Sequence, residues 1–192
     1  RMFPGNPDGE TTERIAAGIF SEICKYQYGV QFASFYIQGM FIPHVRMMKT
    51  CKENTSLANL FGLPYVVLRT PMAMDQSTLN YNWQVGGTAA FSVYTNTTES
   101  IDEQSAEQGV SAVLRFLSRM GIIKYRCHGG YMGTIIDEDD MMNVKCDAAG
   151  IYRVLCKPGD EVEKGDLLAQ VIHPYEGTVI SEVRAPAEGI LF

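Results

Sequence analysis

Apolar positions near the start of the chain recur at helical spacing. Ile15, Ile19 and Ile23 fall every four residues, with Ala16 and Phe20 beside them, which predicts an amphipathic helix over residues 11–26. Thr11 or Thr12 can cap it, and Glu13 suits the positive end of its dipole. Gly29 stops the segment and the pattern changes: residues 30–37, rich in aromatic and β-branched side chains, read as a strand. A short helix is expected over 56–61, ended by Gly62. Buried strands follow over 64–69, around Tyr-Val-Val-Leu, and over 91–95. The clearest helix runs over 102–120, with Ala106, Val110, Val113, Leu117 and Met120 in one apolar stripe and Gly121 at its end. Strands separated by helices predict a mixed α/β sheet, at least partly parallel. Residues 79–84, polar and aromatic and followed by Gly86-Gly87, read as a loop in which packing of Trp83 is the default and lining of a pocket the alternative.

The pattern changes after about Cys127. Gly129-Gly130 and the acidic run Asp137-Glu138-Asp139-Asp140 read as a linker or exposed turn. Beyond it the helical period is lost, and short strands alternate with Gly, Pro and Asp turns. There is an internal repeat: residues 144–151 and 183–190 share Val, Ala, Gly and Ile at matching places, with Lys145 answered by Arg184. Two related β units of that size predict a small pseudo-symmetric barrel or sandwich.

Composition narrows the function classes. The chain has 192 residues, 22 acidic against 16 basic, and a formal charge of −6. This speaks against nucleic acid or an anionic membrane as partner, and no apolar stretch is long enough to span a bilayer. Oligomeric state is not legible. Five scattered cysteines without a Cys-x-x-Cys pair read as structural thiols of a reducing compartment, the cytoplasm. The sequons at Asn54 and Asn96 read as chance matches.

Specific motifs add a family resemblance. Arg1-Met2-Phe3-Pro4-Gly5, then Asn6-Pro7-Asp8-Gly9 and Thr12-Glu13-Arg14-Ile15-Ala16, resemble the Asn-Arg-x-Phe-Pro-Gly … Glu-Arg-x-Ala segment of the succinylglutamate desuccinylase/aspartoacylase family. These are zinc-dependent amidohydrolases with a carboxypeptidase-like fold. Pro43-His44-Val45-Arg46 resembles the family's Pro-x-Val-Arg element. Lys157 to Ala169 resembles the Gly-Asp-x-Val-x-x-Gly-x-x-Leu turn of biotinyl and lipoyl carrier folds, although no Met-Lys-Met acceptor is present, so a structural barrel is favoured over a carrier. The resemblance implies an α/β fold: a partial zinc-carboxypeptidase-like mixed sheet with flanking helices, followed by a small all-β barrel or sandwich. It places the C-terminal part of a catalytic domain at 1–127, a linker at 128–143 and the β-barrel domain at 144–192. It also implies that the chain is a piece of a longer protein, with the main zinc ligands upstream of Arg1.

The function the resemblance implies is a zinc-dependent deacylase or amidohydrolase acting on a small carboxylate-bearing amide, an N-acyl amino acid. Such a site needs metal ligands, a general base and a cation for the substrate carboxylate. Counting back ten residues from Pro43 reaches Ala33, where the resemblance places a histidine ligand. Tyr94 falls where it places the glutamate base. A phenol holds its proton at neutral pH and makes a poor base, but it can donate to an oxyanion. Glu99, five residues on, is a weaker candidate for the base. His44 is the candidate ligand within the chain, against the plainer reading of a loop histidine. His128 and His173 read as turn residues. Arg1 corresponds to the arginine that grips the substrate carboxylate in the family, and Arg46 is a second anion contact. Loss of both a ligand and the base supports the alternative, an inactive homologue that holds a small anionic ligand.

Overall fold

The computed structural model describes residues 2–51, 53–98, 100–127 and 129–192. Arg1, Glu99 and His128, singled out above, lie outside the described residues. Two compact units emerge: residues 1–39 with 43–140, and residues 40–42 with 141–192.

The first unit is built on a five-stranded sheet. Its strands are β1 (Tyr28–Ala33), β2 (His44–Met48), β3 (Tyr65–Arg69), β4 (Ala89–Tyr94) and β5 (Thr134–Asp137), in the order β1-β4-β2-β3-β5. β1/β4, β2/β3 and β3/β5 pair in parallel, while β2 and β4 are antiparallel. The mixed sheet expected from the sequence is therefore present, with one antiparallel junction. β2 was not anticipated as a strand, because a five-residue run holding His44 and Arg46 gives little apolar signal. β5 lies inside the segment read as a linker.

The helices are α1 (Thr11–Ile23), α2 (Thr55–Ala58), α3 (Leu79–Val85) and α4 (Glu103–Arg119). α4 lies against one face of the sheet. Phe116, 1% exposed, stacks on Phe61 at 4.4 Å and lies 5.5 Å from Phe91. Val45, Met47, Val66, Phe91 and Val93 supply the strand side of this core, as alternation along each strand requires. Asp102 caps α4, accepting from the Gln104 N–H at 3.1 Å.

The inward face of α4 is wider than the predicted stripe: Val113, Leu117 and Met120 pack against the core as expected, but small residues make its centre. Ser105, Gly109, Ala112 and Phe116 are the buried positions, whereas Val110 is 55% exposed. Small residues let the helix approach the sheet closely, and a scan for apolar period overlooks them. α1 is turned from its expected face. Ile15 and Ile19 are exposed and Ala16 is buried, while Phe20 meets Phe3 at 6.3 Å. The Phe-Pro-Gly motif has a packing role here. Gly5, at φ +85°, lies so near α1 that a Cβ would sit 2.3 Å from the Ala17 nitrogen. The helix starts after Glu10, whose N–H donates to Glu13 Oε2 at 3.0 Å, so neither threonine is the cap. Asn54, read as part of a chance sequon, caps α2 by accepting from the Leu57 N–H at 3.0 Å.

At the C-terminal ends of β2, β3 and β5, Lys49 pairs with Asp137 and, at 3.2 Å, with Asp139. Arg69 pairs with Asp75 at 3.0 Å and Glu138 at 2.5 Å. The hydrogen bond from Lys49 holds the Asp137 carboxyl below the usual range, and bonds from Thr70 and then Lys49 do the same for Asp139. Depressed carboxyls contribute stability that is present above their unfolded values and lost as pH falls through the folded ones. Asp137 raises Lys49, so its share is lost only as pH rises through that raised value. Lys49→Met is therefore expected to lower the thermal midpoint at pH 7, with the gap to wild type closing below about pH 4 and shrinking in high salt. Parallel melting curves across that range would refute this.

The second unit is all β: β6 (Ile151–Val154), β7 (Glu161–Val162), β8 (Leu167–Ile172), β9 (Val179–Arg184) and β10 (Gly189–Ile190). β6-β8-β9 form one antiparallel sheet and β10-β7 another, around a core of Leu168, Ala169, Val171, Val183 and Ala185. Of the barrel or sandwich expected from the sequence, the all-β content is present, but no closed sheet is formed among the described residues: these strands make two small open sheets. The repeat is visible in outline. Its second copy runs from the end of β9 into β10, and the first leads into β6. His173 sits in the β8–β9 turn, its Nδ1 accepting from the Glu176 N–H at 3.2 Å.

Candidate ligand site at the antiparallel junction of the sheet

Strand register brings the sequence candidates together. Ala33 pairs with Tyr94 and Tyr94 with His44, giving one row across β1, β4 and β2. One step along the same face, Gln31 pairs with Ser92 and Ser92 with Arg46. Side chains alternate along a strand, so these six positions face away from the Val45–Phe91–Val93 core. The two departures from the expected catalytic pattern, at Ala33 and Tyr94, are thus direct cross-strand neighbours.

The patch is aromatic around one cation. The His44 ring lies flat on Tyr94 at 4.8 Å with an interplanar angle of 5°. Phe35 is tilted against Tyr94 at 4.9 Å. The Arg46 guanidinium carbon lies 4.4 Å from the Tyr94 ring centre and 5.1 Å from that of Phe35, a cation–π arrangement. Arg46 Nη1 donates to Tyr94 Oη at 3.1 Å, and Gln31 Nε2 donates to Ser92 Oγ at 2.8 Å. His44 is fully buried and Ser92 nearly so, while Arg46 and Tyr94 are half-buried.

Two chemical properties follow. Among the described residues no carboxylate pairs with Arg46, and its buried Nε has no hydrogen-bond partner there. A partly desolvated guanidinium without a counter-ion is suited to an anion. Tyr94 accepts from Arg46, which leaves its own proton to be donated elsewhere. The pair therefore presents donors and positive charge to the same place.

Zinc is a poorer fit. A zinc centre takes three or four Cys, His, Asp or Glu donors, and no group of three such residues occurs among the described residues. Around His44 the row supplies an alanine and a phenol. The resemblance places the main zinc ligands upstream of Arg1, so the described patch contributes at most His44 to such a site.

Residues 79–84, read as a loop, fold as α3, with Thr78 as cap accepting from the Tyr81 N–H at 3.4 Å. Its buried positions are Asn80, Trp83 and Gln84, the i, i+3, i+4 spacing of an inward helix face. Two of the three are amides, so the hydrophobic pattern did not show it. Trp83 packs on β1 at Gly29, where a Cβ would lie 2.7 Å from the indole. Gln84 bonds the backbone of Met48: its Oε1 accepts from the N–H at 2.8 Å and its Nε2 donates to the C=O at 2.9 Å. β4 pairs with β2 only over His44–Arg46, and the Gln84 amide takes its place at Met48. Sequence reasoning also missed Gln31, Ser92 and Phe35; their link to Tyr94 and Arg46 is register, which no spacing in the chain displays. A groove of about 730 Å³ along α1 between Pro4, Arg14 and Ser21 holds no comparable set of polar groups, so the junction is the better candidate.

No family model and no curated protein matches this chain. Solved structures do. A succinylglutamate desuccinylase from Silicibacter sp. TM1040 aligns over 99% of this chain with a TM-score of 0.81 and 20% identity. The chain has the succinylglutamate desuccinylase/aspartoacylase fold. The apo ectoine utilization protein EutE (DoeB) from Ruegeria pomeroyi aligns over 99% with a TM-score of 0.81 and 24% identity. A succinylglutamate desuccinylase/aspartoacylase from Rhodobacter sphaeroides does so over 99% with 0.76 and 19%. The chain spans 60%, 62% and 60% of those three structures. The desuccinylase fold is thus established along essentially the whole chain, and the resemblance read from the sequence holds at that level. No helix among the described residues is long and apolar enough to cross a membrane, and all five cysteines are free thiols.

Proposed function

We propose that this protein is a divergent member of the desuccinylase/aspartoacylase family, a deacylase-type protein whose ligand is a small carboxylate-bearing amide such as an N-acyl amino acid. The single observation that carries the reading is the Arg46–Tyr94 pair, a guanidinium with no carboxylate partner among the described residues that donates to a phenol, leaving the phenol proton to be given elsewhere. In this reading Arg46 binds the ligand carboxylate, Tyr94 donates to the carbonyl oxygen of the amide, and Phe35 and His44 fix the Tyr94 ring by packing. Arg1 and Glu99 stay as proposed contributors, Arg1 to carboxylate binding and Glu99 to proton transfer. Zinc remains a family-based proposal to which the described patch offers only His44, and no step is routed through it. Residues 1–127 are assigned to the catalytic-type domain, which 128–143 continues by adding β5 to its sheet before leading to the next domain. Residues 144–192 are assigned to an appended β domain of barrel or sandwich type. The reducing cytoplasm is the proposed location, and neither nucleic acid nor membrane is a proposed partner.

A second reading, a protein that holds the same ligand without turning it over, is favoured by one observation. The positions expected to supply a histidine and a glutamate are Ala33 and Tyr94, side by side. One experiment separates the two: incubation with N-acetyl and N-succinyl amino acids, scored for released amine and, by calorimetry, for binding. Release that falls at least about tenfold in Tyr94→Phe supports the deacylase, since the phenol proton is then used in the transition state. Binding without release supports the second reading. Neither binding nor release would overturn both.

A further inference from the structure

Beneath α3 lies a set of buried polar atoms that neither the fold nor the reading above employs. Asn80 is 2% exposed, and neither its Nδ2 nor its Oδ1 has a hydrogen-bond partner among the described residues. Trp83, 8% exposed, leaves its Nε1 unpartnered in the same way. Buried amides and indoles normally find partners, and an orphaned one costs about 1–3 kcal/mol. Two such residues on one face of a short helix call for an explanation.

Topology says what they face. α3 packs on β4 and β2, and it enters β4 through the turn at 86–88, so the helix and the strand run in opposite senses. Trp83 and Gln84 mark the level of Gly29 and Met48. Asn80 is three to four residues back along the helix, about 4.5–6 Å at 1.5 Å per residue. The next row of side chains on the same sheet face is two strand residues on, about 6.6 Å, and it is Gln31–Ser92–Arg46. Asn80 is thereby set over the row that holds Arg46 and its unpartnered Nε.

The set comprises three N–H donors, one amide oxygen and one guanidinium. No acidic residue takes part in either row. The N–H donors and the guanidinium match a carboxylate in sign, while Asn80 Oδ1 is an acceptor and must face away from the anion. We infer that α3 closes a carboxylate subsite over the Gln31–Ser92–Arg46 row, with Asn80 and Trp83 donating to the anion and Arg46 balancing its charge. The half-exposed Gln31 and Arg46 form its open side. The inference rests on the reading of the Arg46–Tyr94 patch as a ligand site and adds α3 to it.

Trp83 is the sole tryptophan of the chain, so its emission reports on its own N–H. The probe is sodium acetate titrated into the protein at constant ionic strength against sodium chloride, followed by fluorescence and calorimetry. A saturable response to acetate and none to chloride is expected. Asn80→Leu, close in shape, is expected to weaken acetate at least about tenfold while raising the melting temperature, because it removes two orphaned polar atoms. Asn80→Asp keeps the shape and adds a like charge, so it should weaken acetate still further; it serves as the second variant if the leucine form does not fold. Trp83→Phe should weaken acetate by calorimetry. If Asn80→Leu lowers the melting temperature and leaves acetate affinity unchanged, Asn80 is structural and the inference fails. If Arg46→Gln weakens acetate but neither α3 substitution does, the subsite fails and the Arg46–Tyr94 reading stands. Acetate binding that ignores Arg46→Gln, or no saturable response by either method, overturns both.

Discussion

Phe116→Ala is expected to cost about 3–5 kcal/mol of folding stability. The ring is 1% exposed, stacks on Phe61 at an interplanar angle of 15°, and takes the edge of Tyr28 at 5.9 Å. It links α4, the turn at Asn59–Phe61 and two strands, so its removal leaves a hole bounded by four elements, and no single one can shift to fill it. Val110→Ala on the same helix is the control, because that side chain is 55% exposed; its effect should stay within about 0.5 kcal/mol. Urea unfolding of the three proteins measures both. Similar losses in the two variants would mean that α4 packs through its apolar stripe and not through the small-residue face.

Arg46→Gln is expected to weaken binding of a small carboxylate by about 1.5–3 kcal/mol, roughly 10- to 150-fold. The loss comes from a charge that no described carboxylate balances. Removing it should therefore leave the melting temperature nearly unchanged, unlike removal of one partner from a buried ion pair. Arg46→Lys keeps the charge but loses the fork that reaches Tyr94 Oη, so it should fall between glutamine and wild type. Calorimetric titration with N-acetylglycine gives the three affinities. Equal values would remove Arg46 from the site.

How far the sequence could be read depended on what each element buries. β3 and β4 are runs of β-branched and aromatic residues, and both stood out. α4 stood out as a helix, and Val113, Leu117 and Met120 of its stripe do pack on the core, but the small-residue centre of its contact face did not stand out. Gly109 lies under Phe32, where a Cβ would meet the ring at 3.0 Å, and closeness of that kind is bought with small residues that carry no hydrophobic signal. α3 was hidden for a related reason, since Asn80 and Gln84 occupy inward positions that a period search assigns to apolar residues. The barrel was expected from a repeat and a turn motif, both of which fix local turns. Closure depends instead on strands that are far apart in sequence. At the site, Tyr94, His44 and Arg46 are singled out by the family resemblance, which places them near Pro43 and before the last helix. Their meeting in two adjacent rows, together with Gln31, Ser92 and Phe35, is a product of register across strands some 50–60 positions apart.

The amide of Gln84 that stands in for a strand at Met48 also has a kinetic meaning. A ladder bond is held by its neighbours and opens only when a stretch of backbone opens. A side-chain amide is tethered through rotatable bonds and can let go by a change of rotamer, which for an accessible side chain takes picoseconds to nanoseconds. Burial slows that change, but its barrier is local. The Met48 N–H is thus guarded by a latch in α3, and release of the latch would free β2 from the helix without unzipping the sheet.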